Sequence, residues 1–137
     1  MGLKRRVVTR VMLESPHDGI SPEEVARNMA YTDACLRDCL LRGEAPFASS
    51  VLYTRNDVLD EESLEERRLA VYARLAWRSV AQTVVLYVDY GISNDTKDCV
   101  EWAKREGRTV ESRHLFKTNL EKRAWETSLY SGSPNIP

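Results

Sequence analysis

Little in this sequence announces a chemistry. Its 137 residues hold three cysteines (Cys35, Cys39 and Cys99) and two histidines (His17 and His114). None of these falls in a zinc-ligand spacing, and an odd cysteine count gives no complete disulfide framework. The cysteines therefore read as small core residues in a reducing compartment, with no metal and no cofactor expected. No apolar run reaches membrane-spanning length, and the one after Lys4, Arg5 and Arg6 is too short for a signal peptide. A cytoplasmic protein without a membrane partner is expected. The formal net charge of −1 leaves no basic face of the kind that counterion-driven nucleic-acid binding requires. Six glycines are present, and they build neither a GxGxxG nor a Walker loop.

What is present is a globular composition, 42% hydrophobic and 30% charged, in a chain long enough for one self-supporting core. Val7 to Leu13 (VVTRVML) is β-branched and apolar, a first strand ending at Ser15-Pro16. Ser21-Pro22-Glu23-Glu24 supplies an N-cap, a proline at the first helical position and a capping-box glutamate. On the helix that follows, Val25, Met29, Leu36 and Leu40 form one stripe expected to face a core, and Gly43 closes the helix. Ala45–Ala48 and Val51–Tyr53 read as extended or loop segments.

Asp57 to Arg68 opens a second long helix with acid at its N-terminal end, as the helix dipole prefers. Leu64, Val71 and Leu75 line one side of it; Leu69, Ala73, Ala76, Trp77 and Val80 line the other. The second side is covered either by another subunit or by a loop or the last helix. Thr83 to Val88 (TVVLYV) is continuously apolar, the signature of a central parallel strand buried on both faces. Ser93 or Asn94 caps the next helix, which Gly107 stops. Thr109 to Arg113 is a further strand, and Thr118 with Glu121 caps a final helix. The alternation gives a three-layer α/β sandwich with a central, mostly parallel sheet, as a single domain over 1–130 with a loose tail over 131–137.

In open α/β sheets, ligands bind beyond the carboxyl ends of the strands. Two such ends carry a carboxylate, a hydroxyl and a glycine: Glu14 to Gly19 (ESPHDG) and Asp89 to Ser93 (DYGIS). His17 reads as a general base or as a surface histidine. Cys99 with His114 lacks a third, orienting group for nucleophilic chemistry. The acidic stretch from Asp57 to Glu66 reads as a solvated helix face.

An ordered set of stretches carries a resemblance. ESPHDG is followed by Asn28 and Tyr31, then GEAPFAS (Gly43–Ser49), LYT (Leu52–Thr54), Glu66-Arg67 with Ala76-Trp77, and VDYGIS (Val88–Ser93). Together they resemble the nucleoside 2-deoxyribosyltransferase-like superfamily, in particular an uncharacterised bacterial and phage branch. The resemblance implies a flavodoxin-like fold, assembled as a homodimer or a higher homo-oligomer. In active members a glutamate attacks the anomeric carbon, aspartates hold base and sugar, and backbone amides with a serine receive a 5′-phosphate. Carried over, the ligand-binding set is Ser15, Pro16, His17, Asp18 and Gly19 from the first loop, and Asp89, Gly91, Ser93 and Asn94 from the second.

Two departures matter. The expected glycine two residues after the serine is Asp95, and the expected nucleophilic glutamate is Cys99. Asp98 is adjacent to that place but about 100° around the helix, and Glu101 about 200°. No catalytic residue is therefore assigned. Glycosyl transfer needs a carboxylate at its oxocarbenium-like centre, so the expectation is a binder of a nucleotide- or nucleoside-derived ligand without turnover. In a phage, such a binder would suit sequestration of a nucleotide immune signal. The rival is an N-glycosidase or deoxyribosyltransferase using Asp98 or Asp89; a third reading is an interaction protein with a vestigial pocket.

Overall fold

In the computed structural model, strands and helices alternate along the chain. They are β1 (Arg10–Glu14), α1 (Pro22–Leu41), β2 (Ala45–Ala48), α2 (Leu64–Arg78), β3 (Thr83–Tyr87), α3 (Asn94–Arg105), β4 (Thr109–Arg113) and α4 (Asn119–Tyr130). The structure describes residues 7–16, 19–48, 52–53, 58–60 and 62–131. The four strands form one parallel sheet in the order β2-β1-β3-β4. This is the flavodoxin-like order, with the direction of winding reversing between β1 and β3.

The apolar runs of β1 and β3 follow from burial on both faces. Val11, Leu13, Val85 and Tyr87 meet Tyr31, Cys35 and Cys39 of α1 and Trp125 of α4 on one face. Met12, Val84 and Leu86 meet Cys99 and Ala103 of α3 on the other. On that second face α2 attaches through Trp77, whose ring lies 5.4 Å from that of Phe47, and Arg78, whose guanidinium lies 5.7 Å from the Trp102 ring. Three layers result.

The starts of α1 to α4 follow from one capping rule. Ser21, Ser63, Ser93 and Thr118 each accept the N–H three residues on, at Glu24, Glu66, Thr96 and Glu121. The cap at Ser63 sets the start of α2 at Leu64, later than the acidic run from Asp57 suggests. β1 likewise begins at Arg10, where its ladder with β2 begins; Val7 is fully exposed. Ala45–Ala48 is a true strand, and its proline is tolerated because β2 lies at the sheet edge. The segment Ser131–Pro137 falls outside the described residues beyond Ser131.

The core-facing side of α1 differs from the expected stripe. Leu40 is 62% exposed and Met29 sits at the surface, while Asn28, Tyr31, Thr32, Ala34, Cys35 and Cys39 are buried. Polar residues take core positions there because the sheet-end loops supply partners for them. In α2 the departure is larger: no residue is buried, Leu69 is 55% exposed and Trp77 50%. Among the described residues, the second apolar side of α2 is covered only in part, through Trp77, which packs on Phe47 and donates its Nε1–H to the Tyr53 hydroxyl at 3.1 Å.

Under α1 the sheet buries an ion-pair cluster. The Arg113 side chain is 4% exposed and grips Glu44 through two bonds, Nη1 to Oε1 at 2.7 Å and Nη2 to Oε2 at 2.6 Å. Its Nε and Nη2 also donate to Glu111, each at 3.1 Å. Tyr87 completes the cluster by donating its hydroxyl to Asp38 at 2.6 Å. Breaking such a pair strands a charge out of water. Arg113→Ala should destabilise the fold by about 3–5 kcal/mol. Arg42→Ala, which removes an exposed i,i+4 pair with Asp38, should cost about 0.5 kcal/mol or less. Urea unfolding of both variants checks the contrast.

Candidate functional site

Two successive residues of α1 fasten the two strand-end loops. Thr32 meets Ser15 at 2.6 Å between hydroxyl oxygens, and its own Oγ1 donates to the Asn28 carbonyl at 3.0 Å. Tyr31 donates its hydroxyl to Asp89 Oδ2 at 2.6 Å and accepts the Asp89 N–H at 3.1 Å. Burial, with added repulsion from Cys35 and Asp89, pushes the Tyr31 phenol far up, so it stays protonated and donates. Ser15 and Asp89 thus both lie at the carboxyl end of the sheet, just beyond the neighbouring strands β1 and β3, and adjacent residues of α1 hold them.

Asp89 is the most connected of the expected site residues. Its side chain is 4% exposed. Besides Tyr31, its carboxylate accepts the N–H of Leu115 at 2.8 Å and of Phe116 at 3.3 Å, and His114 Nδ1 lies 3.5 Å away. Its carbonyl accepts Lys122 Nζ at 2.9 Å. The same ammonium lies 4.3 Å from the Tyr90 ring centroid, with Arg27 at 4.1 Å. Asp89 therefore organises the loop rather than standing free toward solvent.

The remaining expected residues divide. Gly91 adopts φ +84 and donates its N–H to the Val88 carbonyl, a left-handed turn that a side chain would strain. Ser93 spends its hydroxyl on capping α3, and Asn94 is exposed at the first turn. Gly19 is glycine for room: a Cβ there would come within 2.9 Å of Glu24 Cβ and the Val25 nitrogen. Pro16 is half-buried beside Ser15. His17 and Asp18 lie outside the described residues. Beside Gly19, a shallow groove of about 510 Å³ runs over Ile20, Val25 and Met29.

Cys99 is fully buried, and its Sγ donates to Glu14 Oε1 at 3.4 Å. Burial first, then the Glu14 charge, pushes its thiol up to about 12. It is a packed, protonated thiol with a carboxylate beside it. Glu14 heads the ESPHDG strand end but is not among the ligand-binding residues carried over from the resemblance, and its contact with Cys99 is not foreseen there. Among the described residues no group of histidines, cysteines and carboxylates could hold a metal ion, and no helix is long and apolar enough to cross a membrane.

The larger cavity, about 680 Å³, opens at the carboxyl ends of β3 and β4. Asp89, His114, Phe116, Lys117, Thr118 and Lys122 are among the residues that line it. Its size is that of a small-molecule site. The sequence signal for this lining is a capping box, Thr118 to Glu121, set directly after a strand and between two lysines.

The model of a domain of unknown function, DUF7768, matches residues 9–113, from the start of β1 to the end of β4. The chain belongs to this family. No curated protein and no solved structure matches the chain. The DUF7768 segment contains both expected loops, whereas the Lys117–Lys122 wall lies beyond it.

A buried, protonated thiol reacts slowly with alkylating agents. Iodoacetamide at pH 8 should leave Cys99 unmodified in the native protein and label it after unfolding in urea. Peptide mass spectrometry that finds rapid native labelling at Cys99 would contradict the packing described for it.

Proposed function

We propose that this protein binds a nucleotide- or nucleoside-derived ligand without cleaving it. One observation carries the reading: β1 and β3 are adjacent parallel strands at the point where the sheet reverses its winding. Ligands of open α/β sheets lie in the crevice at that point. Ser15, Gly19 and the Asp89–Asn94 loop border it, and Tyr31 and Thr32 hold both loops to one helix. The absence of turnover is supported by Cys99. A protonated, buried thiol offers no anionic stabilisation to an oxocarbenium-like centre.

Glu14 favours a second reading, an N-glycosidase, because its carboxylate lies against Cys99, where a glycosyl-transferring relative would carry its glutamate. One experiment separates the two. Purified protein incubated with nucleosides, nucleotides and NAD-derived compounds should release no free base, while mass spectrometry of the denatured protein should recover a bound nucleotide-like molecule. Steady base release that disappears in Glu14→Gln or Asp98→Asn would establish the glycosidase instead.

The reading includes a homo-oligomer built on α2. Of the expected contact residues Leu69, Ala73, Ala76, Trp77 and Val80, the large ones Leu69, Trp77 and Val80 are each at least 43% exposed, although the Trp77 ring packs on Phe47. Glu65 and Glu66 stand in the first turn of α2, and Arg74 and Arg78 in its second half. Two α2 helices packed antiparallel across a two-fold axis set these opposite charges beside each other. Light scattering should report a dimer or larger at micromolar concentration, and Leu69→Glu should shift it to a monomer. A wild-type monomer under those conditions would exclude this assembly.

A further inference from the structure

Narrowing the ligand reading above, on which it rests, we infer that Ser15 Oγ accepts a hydrogen bond from a sugar hydroxyl and that the ligand is a nucleoside rather than its phosphate. The hydroxyl protons fix this direction. Thr32 has one such proton, and its Oγ1 donates it to the Asn28 carbonyl at 3.0 Å. In the 2.6 Å contact between Thr32 Oγ1 and Ser15 Oγ, Ser15 is therefore the donor. Both side chains are buried, at 0% and 3% exposure, which shields this relay from competing water. With its own proton spent, Ser15 Oγ has only lone pairs to offer a ligand.

Other donors at these strand ends are committed as well. Tyr31 gives its phenol proton to Asp89 Oδ2 and takes the Asp89 N–H. The Gly91 N–H goes to the Val88 carbonyl, and Ser93 Oγ is occupied by the Thr96 N–H. Arg27 and Lys122, the cations that lie against Tyr90, donate to Asn28 Oδ1 and to the Asp89 carbonyl. Asp89 is filled from within the protein, and the residue before Ser15 is a second buried acid, Glu14. A phosphate dianion brings acceptors alone, so it would meet lone pairs and negative charge here without a donor in return. A sugar hydroxyl brings the proton that Ser15 lacks, and it carries no charge into the crevice.

The test titrates adenosine, guanosine, cytidine and uridine, and the 5′-monophosphate of each, into isotope-labelled full-length protein, read through the amides of Ser15, Gly19 and Gly91. The best nucleoside should bind about tenfold tighter than its monophosphate. Its 2′-fluoro or 3′-fluoro analogue keeps an acceptor but lacks the proton. One of the two should bind about tenfold more weakly than the nucleoside, the effect of one lost hydrogen bond. Thr32→Val removes the acceptor of the Ser15 proton and frees Ser15 to donate, so the gap between nucleoside and analogue should close. A purely structural loss would weaken both compounds equally and keep the gap. Ser15→Ala, which removes the acceptor itself, should also close the gap, and it decides the matter where Thr32→Val does not fold. A monophosphate that binds as tightly as its nucleoside, full affinity for both analogues, or a gap that survives in the folded variants would overturn the inference and leave the ligand reading standing. No response to any nucleoside or monophosphate would sink both.

Discussion

The buried carboxylate of Asp89 is the interaction on which this end of the molecule depends. A carboxylate held almost wholly out of water must find donors within the protein, and here they come from several places in the chain. Tyr31 brings α1, Leu115 and Phe116 bring the segment after β4, and Lys122 brings α4 to the adjoining carbonyl. Elements that the sheet alone would only set in parallel are thereby fixed relative to one another. The cavity wall and the crevice border share this one anchor.

Much of the fold was legible in the sequence. A continuous run such as Thr83 to Val88 has one common explanation, a strand covered on both faces, and it forms β3. The four capping residues are hydroxyl side chains three positions ahead of a helical N–H, a local rule that tertiary packing leaves intact. The core side of α1 was hidden for the opposite reason. An apolar stripe of Val25, Met29, Leu36 and Leu40 competes with a polar one, and the polar one wins because Ser15 and Asp89 wait at the strand ends to satisfy it. Propensity along the chain carries no record of partners distant in sequence.

The candidate site was legible in part for the same reason. Ser15 and Asp89 were visible as strand-end residues, and the parallel pairing of β1 with β3 brings them to the same end of the sheet. The orientation of Asp89, inward toward backbone donors, depends on Leu115 and Phe116, whose N–H groups leave no trace in sequence. Glu14 was visible in the first strand end, but its pairing with Cys99, 85 residues away, was not. Lys117 and Lys122 were missed because a near-neutral chain gives no hint that two cations line one cavity.

The DUF7768 match stops at Arg113, yet the partners of Asp89 do not. Leu115, Phe116 and Lys122 bond to it, and Phe116 and Trp125 belong to the same core as Tyr31. A polypeptide cut at the family boundary would keep the acid and discard much of what neutralises it, together with two aromatic rings of its core. The set of residues that compensates Asp89 and fills its core is therefore longer than the segment by which the family is recognised, and it includes residues of α4.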